Sequence, residues 1–326
     1  MSDAPSRAGI EAAAKRLSGV AVRTPLIESS ALNEITGGRV LLKPEILQRT
    51  GSFKFRGAYN FLLQIAPDTR ANGVVAYSSG NHAQGVAAAA QIYGIPATIV
   101  MPMDAPNAKI ENTRSYGANV VTYDRENESR EAIAAGIAND AGATLVPPFD
   151  HVWTIEGQGT VGLEIASQCH EFEAAPDDVL VCCGGGGLTS GIAMALSDSH
   201  PETRIHAVEP HDFDDAGRSL AAGRRLSNEP GVSSICDALL SPCTGDITFA
   251  AMQNLGVTGL SVSDDEVRAA MAFAWRTLKL VTEPGGAVAL AAILSGKIET
   301  SGRTIVAILS GGNVDAAMFA ACIDGA

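Results

Sequence analysis

Positive charge is scarce in this sequence: 23 lysines and arginines stand against 36 aspartates and glutamates, a formal net charge of −13 over 326 residues. A surface of that sign repels a polyanion, so nucleic-acid binding is not expected, although a local nest of backbone N–H groups can bind a small phosphate whatever the net charge. No stretch reaches the roughly 18 apolar residues that a spanning helix needs. The opening Met-Ser-Asp-Ala-Pro-Ser-Arg has no apolar signal core. A soluble, cytoplasmic protein with no membrane partner is expected. The cysteines, Cys169, Cys182, Cys183, Cys236, Cys243 and Cys322, show no repeated Cys-x-x-Cys spacing, and the adjacent pair does not bridge easily. A reduced compartment fits them best. Internal repeats and a low-complexity tail are also lacking.

A hydrophobic content of 46% is enough to fill a sizeable core, as one large α/β domain or as two lobes. Helical patterns at 10–17 and 29–36 precede an apolar strand at 40–45. Strand and helix then alternate: strands at 74–77, 97–101 and 120–123 each lead into a helix, the later two near 108–116 and from about 127. Two prolines at Pro147 and Pro148 interrupt the pattern and suggest a junction. Beyond it the sequence predicts a helix at 159–167, strands at 178–183 and 204–209, a helix over 263–278, another opened by Gly285 and Gly286, and a final strand at 304–309. Such alternation predicts parallel sheets covered by helices on both faces.

One lysine stands apart. Lys54 lies in Thr-Gly-Ser-Phe-Lys-Phe-Arg-Gly, flanked by Phe53 and Phe55, after a turn and before a helical apolar run. Among aromatics its ammonium form is disfavoured and its pKa lowered, and Arg56 pushes the same way. Such an amine can attack a carbonyl and carry Schiff-base chemistry; the alternative is a lysine snorkelling from an amphipathic helix. Three strands end in small-residue turns: Ser78-Ser79-Gly80-Asn81-His82, Gly184-Gly185-Gly186-Gly187 and Ser310-Gly311-Gly312-Asn313. Ligands of open α/β sheets bind beyond the carboxyl ends of strands. The tetraglycine run, opening a helix, reads as a phosphate cradle or as a tight turn alone. It matches neither G-x-G-x-x-G nor the P-loop pattern, which argues against dinucleotides and Mg-nucleotide chemistry.

Taken in order over about residues 24–315, these motifs resemble the fold type II pyridoxal-phosphate enzymes, closest to the serine/threonine dehydratase and serine racemase branch, which includes 3-hydroxyaspartate dehydratases. The resemblance implies the two-lobed, tryptophan synthase beta-like α/β fold with mainly parallel twisted sheets. A large cofactor-binding domain of residues 1–69 and 146–326 would accompany a small domain, 70–145, that closes over the substrate. It implies pyridoxal 5'-phosphate joined to Lys54 beside Phe53, its phosphate on Gly184, Gly185, Gly186 and Gly187, its phenolic oxygen near Asn81 and its pyridine nitrogen facing Ser310. Ser79 would lie on the opposite face of the cofactor, which makes racemisation an alternative activity. Ser78, Asn81 and His82 would grip the substrate α-carboxylate, though His82 also reads as an ordinary capping residue.

The implied reaction is loss of water from a 3-hydroxy amino acid (serine, threonine or 3-hydroxyaspartate), giving a 2-oxo acid and ammonia. Because Ser310 is not a carboxylate, it would not hold a charged pyridinium, and elimination is favoured over transamination. Arg130 aligns with an arginine that reaches a second carboxylate, which suits 3-hydroxyaspartate; it also reads as a surface helix residue. Glu209, the Phe213 carbonyl and Asp215 resemble a divalent-cation site for Mg²⁺, Mn²⁺ or Ca²⁺, and read otherwise as a solvated acidic loop. A homodimer without a C-terminal regulatory domain is expected. The competing readings are a β-replacement enzyme and a catalytically idle amino-acid-binding module.

Overall fold

The structure is a computed structural model that describes residues 4–78, 80–105, 107–124 and 126–324. Its strands, in chain order, are β1 (Ile27–Glu28), β2 (Arg39–Pro44), β3 (Val74–Tyr77), β4 (Ala97–Pro102), β5 (Asn119–Tyr123), β6 (Thr144–Leu145), β7 (Asp178–Cys182), β8 (Arg204–Pro210), β9 (Thr258–Val262) and β10 (Thr304–Leu309). A six-stranded sheet has the order β1-β2-β10-β7-β8-β9, and a four-stranded one the order β5-β4-β3-β6. All pairings are parallel except β1 with β2. After their first residues, Asp178 and Thr304, strands β7 and β10 are apolar throughout because they lie in the middle of a sheet covered on both faces, where alternation is not required. Val306 sits between Leu41 and Val179 in the register.

Each sheet has its own apolar core. The larger gathers β2, β7, β8 and β10 with the helices Gly187–Leu196 and Pro284–Leu294. The other gathers β3 and β4 with the helices Lys54–Gln64 and Asn81–Tyr93. Among the described residues no helix is long and apolar enough to cross a membrane.

Several elements differ in extent from the sequence pattern. The helix expected at 159–167 runs over Val152–Glu171. Its glycines look like helix breakers, yet Gly157 packs on Gly57 and Gly159 on Gly191, so the missing side chains are what let these helices approach. The helix expected from about residue 127 is Arg130–Ala141, started by Ser129, whose Oγ accepts from the Ala132 N–H. Residues 263–278 divide into the helix Asp264–Phe273 and a wider π turn, Ala274–Leu278, closed by Lys279 at φ 60°.

A charged network is buried between β2 and two helices. Arg56 forks onto both oxygens of Glu45 at 2.8 Å and onto Glu164 at 2.6 and 2.9 Å. Lys43 joins Glu164 at 2.6 Å, and the Thr24 hydroxyl donates to Glu45 at 2.7 Å. Two cations and two carboxylates thus balance out of water, the condition under which buried charge is tolerated.

Candidate active site

Lys54 is delivered by an unusual turn. Thr50 and Gly51 both adopt left-handed backbone, at φ 62° and 72°, an uncommon conformation for a β-branched residue. The turn is held where it matters: the Phe53 N–H donates to the Ser310 carbonyl at 3.1 Å, and Asn313 Nδ2 donates to the Thr50 carbonyl at 2.7 Å. Lys54 opens the helix Lys54–Gln64, and its Nζ donates to the Pro148 carbonyl at 2.8 Å, 5.2 Å from the centre of the Phe53 ring. Burial lowers its pKa to about 8, opposed by the nearby Cys182 and Glu283. The lowered pKa matches the sequence expectation, but two of its causes do not. Phe55 points into the core against Tyr59, and Arg56 spends its charge on Glu45 and Glu164.

The cleft around this amine is lined by Phe53, Ser78, Asn81, His82, Arg130, Gly184, Gly185, Gly186, Gly187 and Ser310, residues from both sheets. Ser79 lies outside the described residues. The tetraglycine run joins β7 to the helix Gly187–Leu196. Gly186, at φ 88°, is the N-cap and no side chain caps the helix, so its first N–H groups lack intrahelical partners beside the cleft. A Cβ on Gly186 would meet Thr248 and Met252 at 2.9 Å. An uncapped helix start made of glycine, facing the same cleft as a neutralisable amine, is what an aldehyde with a phosphate tail requires. The residues present therefore fit pyridoxal phosphate.

Asn81 is held at both ends of its amide. Its Nδ2 donates to Glu283 Oε1 at 2.5 Å, and its Oδ1 accepts from Asn313 Nδ2 at 2.7 Å. Burial, with Asp237 adding to it, pushes the Glu283 pKa up to about 7. Glycine at 311 is needed here, because a Cβ would fall 2.1 Å from Glu283 Oε1. Ser310 is buried just past the end of β10 near Cys182, whose thiol burial pushes up to about 11. His82 is buried, with Nε2 set 2.9 Å from the Val146 carbonyl. Burial and the charge of Lys54 lower its pKa to about 3. Its ring is neutral and donates to that carbonyl, so the side chain ties the helix to the proline junction. What the turn offers an anion is the Asn81–Tyr93 helix start, which no side chain caps.

Arg130, at the mouth of the cleft, donates through Nε to Glu131 at 2.8 Å and lies over the Tyr77 ring. Lys109 Nζ meets Asp237 Oδ2 at 2.5 Å, joining the helix Asn107–Ser115 to the turn Asp237–Leu239.

Glu209, Phe213 and Asp215 come together away from this cleft. They do not form a solvated loop: both carboxylates are buried. Glu209 accepts from the N–H groups of Ala216 and Gly217 at 3.1 and 2.9 Å; Asp215 accepts from Asn228 Nδ2 and the Thr244 N–H at 2.7 and 2.8 Å. Burial and Asp215 raise the Glu209 carboxyl well above its usual range, and burial raises Asp215 to about 6. Among the described residues no three His, Cys, Asp or Glu side chains gather to hold a metal.

Sequence reasoning missed Glu283, Lys109, Asp237, Tyr77 and Cys182, all of which line the cleft. Glu283 carried a weak signal, since it immediately precedes the Pro-Gly-Gly that opens a helix. Tyr77 and Cys182 end the strands that lead into the Ser78 and tetraglycine turns, whereas Lys109 and Asp237 carried no signal, because only the fold brings them to the cleft.

Comparison with known proteins agrees with this geometry. A family model described as "Pyridoxal-phosphate dependent enzyme" matches residues 17–311. An L-threo-3-hydroxyaspartate ammonia-lyase of Pseudomonas sp. is 43% identical over 96% of the chain and 97% of its own length. An L-threonine ammonia-lyase of Thermotoga maritima is 41% identical over 95% of the chain and 76% of its own. Among solved structures, maize serine racemase superposes with a TM-score of 0.92 at 37% identity, covering 99% of this chain and 98% of that one.

Proposed function

The chain belongs to the pyridoxal-phosphate dependent enzymes of fold type II, and from that premise we propose that it is an ammonia-lyase removing water from a 3-hydroxy-L-amino acid to give a 2-oxo acid and ammonia. Among the relatives, the L-threo-3-hydroxyaspartate ammonia-lyase supports 3-hydroxyaspartate as substrate, with serine and threonine as the simpler candidates. The observation that carries the reading is Lys54: an amine with pKa near 8 in one cleft with the uncapped glycine helix start. An idle binding module would have no use for that combination.

Bound pyridoxal phosphate supplies an electron sink that makes the α-proton of an amino acid acidic. Lys54 would hold the cofactor and, as a neutral amine, would take the α-proton. Glycines 184–187 and the helix behind them hold the phosphate. Asn81, fixed by Glu283 and Asn313, would offer its remaining amide N–H to the cofactor's phenolic oxygen, and Phe53 would help hold the ring. Ser310 would give the pyridine nitrogen a neutral partner, which would favour loss of the β-hydroxyl over transamination. Ser78 and the start of the Asn81–Tyr93 helix would hold the α-carboxylate, and by the resemblance Ser79 would serve the opposite face of the cofactor. Arg130 receives a side-chain carboxylate. The released enamine tautomerises and takes up water, expelling ammonia.

Residues 70–145 form the closing lobe in this reading and residues 1–69 and 146–326 the cofactor lobe. The Asn81–Glu283 and Lys109–Asp237 contacts, each joining the two segments, support it. The chain acts as a homodimer. A divalent cation sits on Glu209, Asp215 and the Phe213 carbonyl: hard oxygen donors suit Mg²⁺, Mn²⁺ or Ca²⁺, and two buried carboxylates whose nearby Arg218 is hydrogen-bonded to Asp214 gain from one. The test is 2-oxo-acid release from L-threo-3-hydroxyaspartate, L-serine and L-threonine, with and without EDTA. Release from at least one, slower and at lower Tm with EDTA, is expected. No release from any refutes the lyase, and indifference to EDTA refutes the cation.

A further inference from the structure

Arg130 is the first residue of the helix Arg130–Ala141. A cation at a helix N-terminus is opposed by the helix dipole, so the helix does not by itself explain why this guanidinium faces the cleft. Two contacts hold it. Nε donates to Glu131 Oε1 at 2.8 Å, and Glu131 is steadied by Ser129 Oγ, which donates to its Oε2 at 3.2 Å. The guanidinium carbon also lies 5.5 Å from the centre of the Tyr77 ring, within cation–π range.

Tyr77 is well placed to act as a platform. It closes β3 directly before Ser78, and its ring packs against the small core of Val75, Val100, Tyr123, Ala134 and Ala138. Ala134 and Ala138 belong to the same helix as Arg130, so the ring packs against the helix that carries the guanidinium. Among the described residues, the Arg130 hydrogen bond is made by Nε alone, and the two Nη groups carry the remaining donors of the fork. Lys109, the other cation at the cleft besides Lys54, is bound to Asp237.

We propose that Tyr77 is a specificity-determining positioning residue: its ring face seats the Arg130 guanidinium so that the Nη donors meet the side-chain carboxylate of a dicarboxylic hydroxy amino acid. This rests on the reading of Arg130 given above. A side chain without a ring face at 77 leaves Arg130 held by Glu131 alone, free to turn its Nη donors into water, and selectivity between dicarboxylic and monocarboxylic substrates falls.

The test compares the wild-type, Tyr77→Phe, Tyr77→Leu and Arg130→Met holoenzymes in two measurements. One is the ratio of kcat/KM for L-threo-3-hydroxyaspartate to that for L-serine; the other is the rise in Tm caused by succinate, a non-reacting dicarboxylate. Tyr77→Leu is expected to lower the ratio about fivefold or more, through KM rather than kcat, and to shrink the succinate effect. Tyr77→Phe keeps both. If Tyr77→Leu fails to fold, Tyr77→Gln, also lacking a ring face, replaces it. A ratio unchanged by loss of the ring, while Arg130→Met lowers it, overturns the role of Tyr77 and leaves Arg130 standing. A ratio unchanged in Arg130→Met as well overturns both.

Discussion

Asn81 donates to Glu283 at 2.5 Å across the cleft, and the carboxyl that receives this bond is wholly buried and ionises near pH 7. Asn81 comes from the helix after β3 and Glu283 from the N-cap of the helix before β10, so one hydrogen bond spans the two sheets.

The raised pKa has a defined sign. The unfolded chain ionises Glu283 in the ordinary glutamate range, and the folded chain only near 7, so stability from this group is complete at low pH and is lost as pH rises to about 7. Glu283→Gln removes that slope while keeping an acceptor for Asn81. Thermal melts of the cofactor-free protein between pH 5 and 8 should fall less in the variant, by at most about 3 kcal/mol at the upper end. Parallel curves would show that Glu283 does not titrate in this range.

Gly186→Ala should weaken cofactor binding. The added methyl meets Thr248 and Met252 at 2.9 Å on a backbone at φ 88°. Strain of about 1–2 kcal/mol at such a position predicts that the dissociation constant for pyridoxal phosphate, read by fluorescence titration of the cofactor-free protein, rises about tenfold. An unchanged constant would detach the glycine run from the phosphate.

Arg56→Met removes one cation from a buried, balanced group and leaves Glu45 with no exposed surface and no guanidinium. Breaking such a network costs about 3–5 kcal/mol, so the urea midpoint should drop steeply. A drop of less than about 1 kcal/mol would mean that water or Lys43 rescues the carboxylate.

Much of this was legible in the sequence because apolar runs ending in glycine or serine mark both the central strands and the turns beyond them, as at 178–187 and 304–313. The edge strand β9 was not, since Thr-Gly-Leu-Ser-Val is short, half exposed and carries a glycine. Lys54 was legible from its neighbours in the chain, but the reason for its low pKa was only partly so: adjacent helical positions point in different directions, which sends Phe55 into the core and Arg56 toward Glu45. Lys109 and Asp237 are brought to the cleft by tertiary structure, and no local pattern announces them.

The central claim is that the Lys54 amine carries the cofactor. Reducing the protein loaded with pyridoxal phosphate with borohydride and mapping the modified peptide by mass spectrometry tests it directly. The predicted result is a pyridoxyl group on Lys54, absent in Lys54→Ala; a label on Lys109 or another lysine, or none, would contradict it.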